Sequence, residues 1–291
     1  MGHIIQETAE QLLDKEIPVL DKGFVRLVDY LGSDERIVQS ARVSYGSGTK
    51  SFRQDKGLIN YLLRNEHTSP FEQVILTFHC KMPVFVARQW VRHRTARLNE
   101  ISGRYSVMKD EFYLPFASDL RLQSKDNKQG RSDETLPLEQ ADSMIDMMAT
   151  EQANIYKNYE QMIDSGLARE IARVNLPLSL YTEWYWQIDL HNLFHFLRLR
   201  MDSHAQYEIR VYAEALAKCA KAVAPMAYDA FEEHILNAVR FSRSELDALM
   251  CLMEGKENPL EGRELSIFEE KMARSKSIVG SKKQSDLAEV N

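Results

Sequence analysis

Arginine is the residue type this chain concentrates in one place. Residues 92–106 read Arg92-His93-Arg94-Thr95-Ala96-Arg97-Leu98-Asn99-Glu100-Ile101-Ser102-Gly103-Arg104-Tyr105-Ser106. With Arg88 just upstream, five guanidinium groups face a single acid, Glu100. Guanidinium forks bind phosphate bidentately, so the run suits a nucleotide or another phosphorylated small molecule. Asn99, Ser102 and Tyr105 offer hydrogen bonds to a base or sugar, and Trp90 or Tyr105 offers a ring to stack on. A solvated charged face has a similar composition; the interleaved Asn, Ser, Gly and Tyr are what favour a binding loop.

A second polar cluster lies between Asp189 and Gln206. His191 and His195 stand four apart, on one face of a helix that Asp189 is placed to cap. Two histidines at that spacing can bind zinc, but no Glu follows the first as HExxH requires, and no third ligand falls in register. No metal is expected. Arg200 ends that helix beside Asp202 and His204. Of the three cysteines, Cys80 and Cys219 sit on apolar periodic faces and read as core thiols, not nucleophiles. There is no GxSxG elbow and no Walker loop. An enzyme built this way leaves its hard chemistry to a bound cofactor.

The elements that must position these groups follow from periodicity. Residues 24–31, 74–82 and 180–188 read as strands, the second with Val74, Leu76, Phe78, Cys80 and Met82 on one face. Pro83 closes that strand and opens a helix to about Arg92, so the arginines begin at a helix-to-loop junction. His67, Thr68 and Ser69 precede one capped turn at the entrance to the 74–82 strand. Helices are expected at 34–42, 53–64, 137–165, 167–174 and 206–236, and short strands at 105–107 and 111–114. Residues 1–20 read as a short amphipathic helix with a loose lead-in. Residues 121–137 carry two aliphatic side chains and read as a mobile surface excursion. Residues 237–291 suggest two modest helices and a disordered tail after Lys276.

Composition bounds the class. The chain has 291 residues, 44% of them hydrophobic and 27% charged, as in a soluble globular protein. Thirty-seven basic against 43 acidic residues give −6, which argues against bulk nucleic-acid binding and makes the local basic cluster more telling. No window approaches the roughly 20 apolar residues of a bilayer span, and the N-terminus has no secretory pattern. A cytoplasmic protein without nucleic-acid or membrane partners is the expectation. A non-enzymatic nucleotide- or RNA-binding module using the arginine loop is the alternative.

Arg92-His93-Arg94, seven residues and then Ser102 resembles the RHR-x7-S signature of the flavin-dependent thymidylate synthases. The likeness continues through Asn99-Glu100-x-Ser102-Gly103-Arg104-Tyr105-Ser106. It extends to Ala41-Arg42-Val43-Ser44, His67-x-Ser69-Pro70-Phe71-Glu72, Ala87-Arg88-Gln89-Trp90, Ala172-Arg173 with Leu176-Pro177, and Leu199-Arg200-x-Asp202-Ser203-His204-Ala205-Gln206. It spans about residues 20–235. The resemblance implies reductive methylation of dUMP to dTMP, with methylene from 5,10-methylenetetrahydrofolate, electrons from NADPH through FAD, and no enzyme nucleophile. It implies an α/β protomer with a central mixed sheet packed by helices, in a homotetramer with shared sites. The catalytic domain is placed at residues 1–240 and an extension at 241–291. By matching position, dUMP meets Gln89, Trp90, Val91, Arg92, Glu100, Ile101, Ser102, Gly103, Arg104, Arg173 and Arg200. Arg200 is the catalytic residue, favouring ionisation at pyrimidine N3. FAD meets Ser44, His67, Ser69, Arg92, His93, Arg94, Glu100, Asp189, Leu190, His191 and His195.

Overall fold

A five-stranded sheet carries the molecule, because three of its strands alternate apolar and polar residues along nearly their whole length. In the computed structural model the described residues are 4–43, 52–125 and 130–288; Ser44 lies outside them. The strands are β1 (Glu16–Val19), β2 (Gly23–Leu31), β3 (Ile75–Pro83), β4 (Arg97–Glu100) and β7 (Tyr181–Asp189), in spatial order β1-β2-β3-β7-β4. The α/β architecture holds. All four strand pairings of this sheet are antiparallel where a mixed sheet was expected, and among the described residues the one parallel contact is an isolated Leu13–Leu27 bridge. Val25, Leu27, Leu76, Phe78, Cys80, Met82, Trp184 and Trp186 are buried on one face, as period two dictates.

Helices cover that face. Those before the arginine run are α1 (Glu7–Glu10), α2 (Asp34–Ala41), α3 (Phe52–Arg64) and α4 (Val84–Trp90). After it come α5 (Leu138–Asp164), α6 (Arg169–Ala172), α7 (Leu190–Arg200), α8 (Tyr207–Val223) and α9 (Pro225–Phe231). Trp90 of α4 is wholly buried, with ring centroids 5.3 Å from Trp184, 5.2 Å from Trp186, 5.1 Å from Phe196 of α7 and 5.9 Å from Tyr212 of α8. Gly23 lets α8 approach: a Cβ there would stand 1.9 Å from the Tyr212 hydroxyl, which donates to the Lys81 carbonyl at 2.7 Å.

Several elements differ from the sequence reading, each for a local reason. The expected loop at residues 92–106 contains β4, an edge strand with every residue exposed, so no apolar alternation marks it. Within residues 121–137, β5 (Arg121–Gln123) and β6 (Arg131–Thr135) pair antiparallel, and residues 126–129 lie outside the described residues. Residues 105–107 form a turn instead of a strand, and 111–114 make only the isolated Phe112–Leu180 bridge. The expected helix over 206–236 breaks at Pro225, which cannot donate the backbone bond needed to continue α8. The lead-in before Leu20 contains β1. Cys80 and Cys219 are buried thiols, as their spacing predicts. Among the described residues no helix is long and apolar enough to cross a membrane.

The chain divides into two compact units, residues 1–230 and 231–291. The second holds α10 (Arg243–Met253), started by a Ser242/Glu245 capping box, and α11 (Gly262–Ala288), around Ala248, Leu260 and Phe268. Of the disordered tail expected after Lys276, the residues up to Ala288 continue α11, and 289–291 lie outside the described residues.

Candidate active site

Pro83 sets the site's entrance by ending β3 in extended geometry and starting α4. With Val86, Ala87 and Trp90 turned into the core, Arg88 is left exposed on the opposite side. The chain leaves α4 through a turn in which the Val91 amide donates to the Ala87 carbonyl at 3.0 Å and the His93 amide to that of Trp90 at 3.0 Å. It then enters β4, where strand alternation sorts the run. Arg97 and Asn99 stand opposite Gln187 and Tyr185, while Leu98 and Glu100 stand opposite Trp186 and Trp184 on the helix-covered face. Past Ile101, the amides of Tyr105 and Ser106 both donate to the Ser102 carbonyl. Gly103 is buried within this turn. A Cβ there would stand 2.9 Å from Met108 Sδ and 3.0 Å from Arg173 Cδ, so glycine is what allows Arg173 to lie against the turn.

Arg200, at the end of α7, meets the exit of α4. Its Nε donates to His93 Nε2 at 3.1 Å and its Nη2 to the Gln89 carbonyl at 3.3 Å. Both partners are neutral, and among the described residues no carboxylate pairs with this half-buried guanidinium. Accepting at Nε2 assigns His93 the Nδ1–H tautomer. Burial, then the Arg200 charge, then His195 push the His93 pKa from 6.5 down to about 4. The His195 ring lies 5.9 Å from His93; it too is lowered, by burial and by Arg198 and His191. Asp189 caps α7: Oδ1 accepts from the Asn192 amide at 2.9 Å and Oδ2 from Asn192 Nδ2 at 2.7 Å. Each carboxylate oxygen thereby accepts one bond.

Among the described residues, Arg88, Arg92 and Arg94 make no hydrogen bond or ion pair with any other side chain. Arg104 Nε lies 3.4 Å from Glu170 Oε2, and Arg97 Nη1 donates to Gln187 Oε1 at 3.3 Å. Free guanidinium groups beside a neutral pair of imidazole rings form a donor set that fits a ligand joining a flat ring system to phosphates, as FAD does. Among the described residues no group of three or more metal-ligating side chains occurs. A cavity of about 450 Å³ lies elsewhere, against α5 and the β5–β6 pair, and none of the arginine-site residues lines it.

The fold thus brings Gln89, His93, His195 and Arg200 together, and sets Gly103 against Arg173. Trp90 and Leu190 turn their side chains wholly into the core. His67 and Ser69 are exposed after α3, the His67 ring against Tyr61 at 5.8 Å; no hydrogen bond, ion pair or ring contact joins either to the arginines. Two polar partners escaped the sequence reading of the site. Gln206 accepts from Gln89 Nε2, and Thr182 Oγ1 donates to Glu100 Oε1 at 2.6 Å. Gln206 closes one of the motif blocks, whereas nothing in an aromatic strand flags Thr182.

Two family models match the chain: one described as thymidylate synthase complementing protein, over residues 26–226, and one as thymidylate synthase ThyX C-terminal domain, over 239–278. A flavin-dependent thymidylate synthase of Treponema denticola is 60% identical over 266 residues, covering 91% of this chain and all of that protein. One of Treponema pallidum is 54% identical, covering 94% of this chain and 89% of that protein. Among solved structures, a UMP/dUMP methylase, PolB from Streptomyces cacaoi bound with 5-Br dUMP, aligns with a TM-score of 0.69 at 32% identity. That alignment covers 76% of this chain and 99% of the other.

Proposed function

The chain belongs to the flavin-dependent thymidylate synthase family, and we propose that it methylates dUMP to dTMP with 5,10-methylenetetrahydrofolate, NADPH and bound FAD. The observation that carries the reading is Arg200, a half-buried cation whose only partners among the described residues are a neutral imidazole and a backbone carbonyl. A desolvated charge without a counter-ion is costly unless a ligand supplies the anion. Uracil does so when N3 gives up its proton, and a guanidinium at that edge stabilises the charge as it develops. His93 holds the guanidinium in place without adding a second positive charge, because it stays neutral at physiological pH.

FAD, when bound, supplies the two-electron relay from NADPH; the methylene carbon comes from the folate. The residues divide by what they reach. Arg92, Arg104 and Arg173 take the dUMP phosphate and sugar side, with Gln89, Ser102 and the Gly103 backbone. Arg92 and Arg94 take the flavin's phosphates, and His93, His191 and His195 line its ring. Each Asp189 carboxylate oxygen accepts one bond in the cap and keeps a second acceptor site for a ligand. Leu190, with its side chain buried and its amide donating to the Val74 carbonyl at 2.8 Å, has no free donor for FAD. A mechanism without an enzyme nucleophile is supported by Cys80, whose thiol burial pushes well above its usual range, and by Ser102, whose hydroxyl accepts from the Arg104 amide at 3.3 Å. His67 and Ser69, standing apart from the arginines in one protomer, suit a homotetramer in which another copy completes each site.

Purified protein is expected to be yellow, to bleach with NADPH and to form dTMP when all substrates are present. Colourless protein that takes up no FAD would sink the reading. Arg200→Ala is expected to abolish dTMP formation while flavin stays bound; turnover at the normal rate would remove Arg200 from the chemistry.

A further inference from the structure

Glu100 is the only acid within the arginine run, on an exposed strand, yet among the described residues it forms no ion pair. A carboxylate on a flexible stem among guanidinium groups is drawn to them electrostatically, and pairing would fill an anion site from within. What holds it instead is Thr182. This residue is 3% exposed on β7, and its hydroxyl donates to Glu100 Oε1 at 2.6 Å. Glu100 Oε2 has no partner among the described residues. We infer that Thr182 is a positioning residue for dUMP binding: its hydroxyl tethers the Glu100 carboxylate, keeps it off Arg92 and Arg104, and leaves Oε2 free for a ligand's donor. The geometry requires a short side chain with a hydroxyl on the helix-covered face of β7, diagonal to the end of an edge strand. The inference rests on the proposed conversion of dUMP.

The test compares Thr182→Val, Thr182→Ala and Thr182→Ser in the FAD-loaded enzyme. Val and Ala change volume in different ways but both remove the hydroxyl, and Ser restores it. Val and Ala are expected to raise KM for dUMP about tenfold with kcat changed much less, because the freed carboxylate competes with phosphate for the same cations. Ser is expected to stay within about twofold of wild type. In a Glu100→Gln background, where no charge is left to compete, adding Thr182→Val is expected to move KM by less than about twofold. The inference is overturned if Val and Ala keep the wild-type KM. It is also overturned if Ser behaves like Val, or if Val and Ala fail to fold while Ser is normal; these outcomes would make Thr182 a packing or folding residue. Wild-type protein that makes no dTMP would overturn the proposed function itself, which separates the two failures.

Discussion

At the scale of single residues, His93 holds the decisive contact and also makes it sensitive to acid. Its pKa in the folded chain is about 4, against 6.5 in its ordinary state. Between those values the unfolded chain binds a proton on His93 that the folded chain does not. Stability from this group is therefore present above about pH 6.5 and lost as the pH falls toward 4. Protonation also removes the Nε2 lone pair that accepts from Arg200, so activity is expected to fall with stability. Because His93 is half-exposed, the effect is modest. His93→Gln removes the titration while keeping an acceptor for Arg200. The slope of Tm against pH between about 6.5 and 4 is expected to be flatter in that variant, with the His195 contribution unchanged. Identical slopes would show that His93 does not titrate with unfolding.

At the scale of elements, one carboxylate joins the start of α2 to the start of α9. Asp34, 4% exposed, accepts from the amides of Met226 at 2.8 Å and Ala227 at 2.9 Å, two donors that a helix leaves unsatisfied at its first turn. Burial pushes its pKa up to about 6 against the pull of those two bonds. Asp34→Ala strands both donors and is expected to cost about 1–3 kcal/mol in denaturant unfolding; a loss below about 0.5 kcal/mol would mean that water satisfies them. Nothing in the sequence near Asp34 or Met226 announces this contact, since it spans most of the first unit. Elements with one buried face were legible: β3, β7 and α5 were placed to within about two residues, because burial imposes period two or 3.6. β4, β5 and β6 were not, because an exposed strand has no buried face to write a pattern. The break at Pro225 was legible in principle, yet the alanine-rich run before it masked the stop.

At the scale of the whole molecule, the sheet and its tryptophan cluster are a platform that brings residues over a hundred positions apart into one site. Motif spacing identified Arg200 and His93 separately; only the packing of α7 against α4 joins them, and Trp90 belongs to that packing. Its ring, open to a stacking role in the sequence, lies in the core, with no aromatic face left for a ligand. A platform of this kind transmits ligand binding to global stability by mass action. Ligand at 100 times its Kd stabilises the fold by about 2.7 kcal/mol, which for a chain of this size raises Tm by several degrees. Flavin and dUMP are each expected to shift the melting curve of the wild-type protein. In Arg200→Ala the flavin shift is expected to persist and the dUMP shift to shrink, because on the proposed assignment the variant removes a contact to the uracil and none to the flavin. If both shifts vanish, Arg200 supports the architecture of the whole site. If both persist at full size, dUMP is held by its other contacts, and Arg200 acts only after binding, on the reacting ring.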